Sequence, residues 1–319
     1  MKVRKFNYFR FITFIIILIA IIIGIIFCIK YFKDKKEYEK SDEYYLIEYG
    51  FSEEDAKYLI KSFKKEEIDK IMKMKYDPSY MYFIKEKYFI MDNLEKYVEY
   101  KRNNISYEYS KVVAIINTEA NIEWIDNEKE TDTSKNELML VNRLYGLNSD
   151  YEVEDIVQVP VKYAYDGNKI SESILEKLIE LIDAAKEDGY TFVVDGSYRT
   201  YAKQESLYNS YVNNSGRSEA DKKVARPGHS EFETGLSLDL VPYNKIVNNP
   251  KESEEYKWLK DNSYKYGFIL RFDSEKEYLT GFEEDPWRLR YVGEQAAKTI
   301  YDENICFEEY YAYYVRGNE

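Results

Sequence analysis

This chain of 319 residues has one histidine, His229, and only two cysteines, Cys28 and Cys306. A single imidazole excludes any metal site built from several histidines, and a histidine-based triad could be assembled only around His229. Two cysteines are too few for a disulfide framework or a thiolate metal site. Cys28 lies in an apolar run and Cys306 near the C-terminus, so no pairing between them is expected. Basic excess is also missing: 46 Lys and Arg face 59 Asp and Glu, for a net charge of −13. No basic stripe with interleaved aromatics is present, which argues against general nucleic-acid binding. No internal repeat is visible. The 35 tyrosines read as compositional bias and carry no functional weight. The length leaves room for one large domain and a smaller one.

One uncharged, almost wholly apolar run stands out, Phe11 to Ile29. Its nineteen residues would span about 28 Å as a helix, enough for a bilayer core. Lys2, Arg4, Lys5 and Arg10 precede it, and Lys30, Lys33, Lys35 and Lys36 follow, so flanking charge is nearly balanced. No small-x-small cleavage site follows, which favours an uncleaved signal anchor over a removed signal peptide. Bulky Phe27 before Cys28 disfavours a lipoprotein site. The expected layout is a cytoplasmic tail over 1–10, a transmembrane anchor over 11–29, a helical juxtamembrane region over 30–110 and a larger domain over 111–319. That places the protein in the cell membrane as a single-pass chain with its C-terminal domain extracytoplasmic; a buried core helix is the alternative for the run.

Beyond the run the pattern is helical and charged. Ser52 with Asp55 three residues on resembles a capping box opening a helix through Phe63. Further helices are expected over Lys65–Met74 and Met81–Tyr100, separated by Asp77-Pro78. Lys111–Thr118 and Leu138–Asn142 read as strands, and Asp126–Lys135 as a polar loop. Ser171–Asp188 is amphipathic, with Ile174, Leu178, Ile179, Ile182 and Ala185 near one face and Gly189 as its terminator. Strands over Thr191–Val194, Leu236–Val241, Phe268–Arg271 and Arg290–Val292 are expected to alternate with helices over Tyr201–Val212, Glu254–Tyr266 and Glu294–Tyr301. Irregular alternation of this kind predicts an α+β fold with a small antiparallel sheet and flanking helices.

Four segments, SYRTYAKQ (Ser197–Gln204), VARPGHSEFETGLSLDL (from Val224), WLKDNSYKYGFILRF (Trp258–Phe272) and DPWRLRYVG (Asp285–Gly293), occur in that order. Together they resemble the VanY-type D-alanyl-D-alanine carboxypeptidases, zinc peptidases that trim cell-wall stem peptides; the likeness runs from Leu138 to Tyr311. In that family the second motif is S-x-H-x-x-G-x-x-x-D, whose His and Asp bind zinc. Here Ser230, Gly235 and Asp239 match, and Phe232 stands at the ligand His. The last motif is E-P-W-H, with Glu as catalytic base and His as a further ligand. Here Asp285 takes the base position and Arg288 the His position. The resemblance also implies substrate-binding roles for Arg199, Gln204 and Ser230, Arg199 helping to hold the substrate carboxylate.

A catalytic zinc needs about three protein ligands and an open position for water. Phenylalanine offers no lone pair, and arginine brings a permanent charge and no acceptor. Asp239 is the sole retained ligand position, and without the metal neither water nor carbonyl is activated. His229, three residues before Phe232 in the Pro-Gly turn, reads by default as a loop histidine. Arg288 is expected to pair with Asp239, and with Asp285, in the volume left by the metal, with Phe232 filling the rest.

The expectation is therefore a membrane-anchored, carboxypeptidase-like protein with no cofactor, a zinc-free pseudoenzyme that binds peptidoglycan stem peptides or other peptide C-termini, or regulates wall metabolism. An active D-Ala-D-Ala carboxypeptidase with a remodelled metal site, and a structural scaffold, are the alternatives. Nothing in the sequence marks a protein partner.

Overall fold

The computed structural model describes residues 8–123 and 127–316. The basic residues Lys2, Arg4 and Lys5 of the N-terminal tail, and Asp126 at the start of the expected loop, lie outside the described residues. Contacts divide the chain into two units, Met1–Asn103 and Asn104–Glu319.

The first unit is helical. α1 (Tyr8–Tyr38) carries the apolar run, and its stretch Phe11–Tyr38 is long and apolar enough to cross a membrane. α2 (Asp42–Tyr49), α3 (Glu53–Ser62), α4 (Lys65–Lys73), α5 (Tyr80–Ile84) and α6 (Leu94–Asn103) follow. The cap of α3 forms as expected: the Ser52 hydroxyl accepts from the Asp55 amide and donates to its carboxylate. Leu46, Leu59, Ile71, Phe83, Leu94 and Tyr97 form the fully buried centre. The single helix expected over Met81–Tyr100 is instead α5 and α6 with a break between. Phe89 there packs on Tyr97, whose hydroxyl accepts from the Ile90 amide, so an aromatic contact replaces a helical turn.

The second unit opens with α7 (Tyr109–Asn117), which corrects the strand expected over Lys111–Thr118. Its residues from Val112 to Asn117 are all buried. A short run buried on every side has no periodicity to separate helix from strand. The run Leu138–Asn142 is not a strand either. Its carbonyls are taken by side chains: Met139 accepts from Arg290, Leu140 from Thr131, and Asn142 from His229. The polar stretch before it is largely irregular but contains β1 (Lys129–Glu130), paired in parallel with β2 (Tyr145–Gly146). β3 (Ile156–Gln158) and β4 (Lys169–Ser171) make an antiparallel pair.

α8 (Leu175–Glu187) buries Leu178, Leu181, Ile182 and Ala185 on one face and ends where Gly189 takes a φ of +92°. That face packs with the central four-stranded antiparallel sheet. Its strands are β5 (Phe192–Gly196), β6 (Ser237–Pro242), β7 (Phe268–Phe272) and β8 (Asp285–Tyr291), in spatial order β5-β6-β8-β7. Between β5 and β6 lie α9 (Tyr201–Ser215), capped by Thr200, and α10 (Arg217–Lys223). Between β6 and β7 lies α11 (Glu254–Asn262), capped by Ser253. α12 (Glu277–Thr280) precedes β8, and α13 (Glu294–Glu303) and α14 (Phe307–Tyr310) close the unit. β8 starts five residues earlier than expected and takes in the whole DPWRLRY segment. Successive residues on a strand face opposite sides. Leu238, Leu240 and Leu289 therefore enter the core, while Asp239 and Arg288 point to the other face of the sheet.

Candidate functional site

Strand register sets the centre of the site. Asp239 on β6 lies directly across from Gly196 on β5 and from Arg288 on β8. A Cβ on residue 196 would stand 2.5 Å from the Asp239 Oδ2, so glycine there gives the carboxylate its room. Arg288 fills the space on the other side. Its Nε donates to Asp239 Oδ1 at 2.5 Å, and its Nη2 lies 3.0 Å from Asp285 Oδ2. The expected pairing of Arg288 with both carboxylates is formed, and it bridges two positions of β8 and one of β6. Burial lifts the Asp285 carboxyl above its ordinary value, and the Arg288 charge opposes that rise.

Phe232 sits in the short turn Glu231–Thr234 that leads into β6. That turn ends at Gly235, whose φ of +70° and close approach to Ile156 and Ser171 leave no place for a side chain. The ring of Phe232 is buried, and two guanidinium groups lie over it. The Arg288 Cζ is 4.0 Å from the ring centroid and the Arg199 Cζ 4.1 Å. Each contact is worth about 0.5–2 kcal/mol, more where water is excluded.

Arg199 stands between the end of β5 and the cap of α9. Its backbone amide donates to the Phe232 carbonyl at 3.1 Å, and its Nη1 to Gln204 Oε1 at 3.3 Å. Buried Gln204 in turn donates to the Ala225 carbonyl at 2.7 Å, tying α9 to the segment before the Pro-Gly turn. Among the described residues no carboxylate pairs with Arg199. Burial and then the neighbouring Arg288 charge push its guanidinium down from its ordinary value, yet an arginine keeps its charge.

Ser230 and His229 follow the turn at Gly228, where Glu233 accepts from the amides of Gly228 (2.9 Å) and Ser230 (3.3 Å). Burial of Glu233 pushes its carboxyl up to about 7, against the pull of those amides and of Arg199. His229 is a buried residue rather than a loose loop histidine. Its Nδ1 lies 2.7 Å from the Asn142 carbonyl and its Nε2 2.9 Å from Glu128 Oε1, so both ring nitrogens are engaged.

These residues surround a cleft of about 390 Å³, whose walls include Arg199, Gln204, Ser230, Phe232, Asp285 and Arg288. Asp239 lies behind Arg288. The sequence-derived candidates are thus brought together, with His229 also on the wall. Sequence reasoning missed a buried ionic network beside them. Arg271 donates from Nε to Glu231 (2.8 Å) and from Nη1 and Nη2 to Glu308 (2.9 and 2.6 Å). Arg290 lies 3.6 Å from the same Glu231 oxygen and donates to the Glu137 and Met139 carbonyls. Burial works against the charged form of Arg271, but Glu231 and Glu308 hold it above its ordinary value. The available signal was an arginine closing the apolar strand FILR.

The family model for VanY, D-alanyl-D-alanine carboxypeptidase, matches residues 167–294. The chain is 36% identical over 198 residues to YodJ of Bacillus subtilis (strain 168), covering 60% of this chain and 72% of that protein. It is 34% identical over 192 residues to a D-alanyl-D-alanine carboxypeptidase of Enterococcus faecalis (strain ATCC 700802 / V583), covering 57% and 68%. This chain belongs to the VanY family. Among solved structures, the LdcB LD-carboxypeptidase, whose structure addresses peptidoglycan recognition, superposes with a TM-score of 0.55 at 35% identity, over 60% of this chain and 93% of that one.

The resemblance implies zinc as the metal, and the residues here do not fit it. Among the described residues no group of three or more His, Cys, Asp and Glu side chains is placed to hold a metal ion. The two positions at which the resemblance implies ligand histidines hold a ring without a donor atom and a cation already bonded to Asp239 and Asp285. A divalent ion at Asp239 would have to displace that guanidinium and then meet its charge.

Proposed function

We propose that this VanY-family chain is a metal-independent binding or regulatory module, which recognises the C-terminal carboxylate of a peptide without cleaving it. A peptidoglycan stem peptide ending in D-alanine is the favoured ligand, given the activities named for its relatives. One observation supports the reading: Arg288 occupies the place between Asp239 and Asp285, while Arg199 beside it keeps a charge that no carboxylate pairs with directly among the described residues. The catalytic apparatus is filled by an internal ion pair, and the anion-binding part of the cleft remains open. Arg199 would receive the carboxylate, with Gln204 fixing its guanidinium and Ser230 lining the same wall. Asp285, at the base position, is committed to Arg288. The apolar helix would serve as an uncleaved anchor, with the second unit outside the cytoplasm facing the wall.

The test uses the detergent-solubilised full chain. After incubation with zinc and removal of the excess, metal content and D-alanine release from a stem peptide are measured, followed by calorimetric titration with that peptide. No retained zinc, no release and binding lost in Arg199→Ala is the expected result. Stoichiometric zinc with D-alanine release would overturn the proposal in favour of a remodelled but active carboxypeptidase.

A further inference from the structure

Resting on that reading, we infer that Arg288 is itself a ligand-binding residue: it donates to the uncharged carbonyl oxygen of the ligand's last peptide bond, while Arg199 takes the terminal carboxylate. Three observations lead there. First, Arg288 spends only Nε and Nη2 on Asp239 and Asp285. Its Nη1 has no hydrogen-bond partner among the described residues, is not sealed from solvent, and belongs to a side chain on the cleft wall. Second, both guanidinium carbons lie within 4.1 Å of one ring centroid, so they are at most about 8 Å apart. Each donor reaches about 3 Å to an acceptor, so the pair suits two acceptors a few ångströms apart on one small ligand.

Third, the charges around the two arginines differ. The charge of Arg288 is already matched by two directly paired carboxylates, whereas Arg199 feels Asp239 and Glu233 only at a distance and forms no ion pair among the described residues. A second anionic group at Arg288 would come close to Asp239 and Asp285 and be repelled. A neutral carbonyl oxygen meets no such cost and satisfies the remaining N–H. The site is therefore built for an intact C-terminal peptide bond followed by a carboxylate. Free amino acids lack the first group, peptide amides lack the second, and dicarboxylates place a charge where it is unwelcome.

The experiment is calorimetric titration of the full chain in detergent with EDTA present. The ligands are N-acetyl-D-alanyl-D-alanine, its C-terminal carboxamide, its analogue with the last amide as a thioamide, free D-alanine and glutarate. Wild type should bind the parent peptide, and bind the thioamide about tenfold or more weakly, as expected for a lost hydrogen bond to a charged group. The carboxamide, D-alanine and glutarate should bind more weakly still. Arg288→Lys keeps a cation beside Asp239 and Asp285; it should bind the parent about tenfold more weakly and no longer discriminate against the thioamide. The ligand-side comparison in wild type is independent of whether that variant folds. If Arg199→Ala abolishes binding while the thioamide binds wild type as well as the parent does, the carboxylate cleft stands and the role of Arg288 is overturned. Glutarate binding as tightly as the parent peptide also overturns it. If no peptide binds wild type, the reading of the cleft fails as a whole.

Discussion

Two side chains, Arg288 on the cleft wall and Glu233 in the turn before β6, tie the site to measurable stability. Arg288 is held by two carboxylates and a ring face, and its own side chain is only 18% exposed. Breaking a buried pair by removing one partner costs about 3–5 kcal/mol, and the partial exposure of this one brings the figure down. Arg288→Ala should therefore lose about 1–3 kcal/mol in urea melts, and an unchanged midpoint would remove the argument that the pair stands in for the metal. Glu233 makes a second prediction. Its folded carboxyl titrates at about 7 against 4.5 in an unperturbed chain. Between those values the folded state keeps a proton that the unfolded state has lost, so this group lowers stability progressively as pH rises through that window. Glu233→Gln retains an acceptor for the Gly228 amide and cannot ionise. Relative to wild type it should be neutral or weaker at pH 4.5 and gain about 1–3 kcal/mol by pH 8, the cost scale of an under-satisfied buried group. A stability difference that stays flat between those pH values would mean that Glu233 is not the titrating group.

At the scale of elements, the site is a consequence of pairing register. β6 and β8 place residues 239 and 288 directly opposite each other, and the turn before β6 places the ring of Phe232 against Arg288. If these are the positions that the resemblance implies for the zinc ligands, the change lies in the side chains and can be reversed. The double replacement Phe232→His with Arg288→His should make the full chain retain zinc, measured by metal analysis after removal of the excess. Phe232→His alone should not, because Arg288 would still hold Asp239. Zinc retained by wild type would contradict the argument. Much of this was legible in the sequence. Short motifs on strand ends and caps are read locally, so the four strands of the central sheet, the Ser52 cap and the Asp239–Arg288 pairing could be anticipated. What was not legible depended on the tertiary environment. The buried run Val112–Asn117 satisfies either period, and the carbonyls of Met139 and Asn142 are taken by side chains from far along the chain rather than by a neighbouring strand. The Arg271–Glu231–Glu308 network was hidden for the same reason, since Glu308 lies 37 positions from its partner.

Across the whole molecule, one acidic chain carries an apolar helix in its first unit and a cleft lined by Arg199 and Arg288 in its second. The two are related by what each would be worth alone. A single weak contact between one carboxylate and one arginine is a few kcal/mol at most, which gives low affinity for a free peptide. Confinement to a surface facing a polymer that repeats the same peptide end raises the effective concentration and makes weak recognition useful. This is why an uncleaved anchor matters more to a binding module than to an enzyme, which needs only to meet each substrate once. Intact-mass analysis of the protein purified from membranes should find residues 1–29 still attached, and alkaline carbonate should not extract it. Deleting Phe11–Ile29 should move the protein to the soluble fraction and leave the peptide dissociation constant in solution unchanged, while abolishing retention on walls at the same protein concentration. A mature form lacking the apolar run, or wall retention that survives its deletion, would separate recognition from anchoring and leave the cleft to work as a freely diffusing domain.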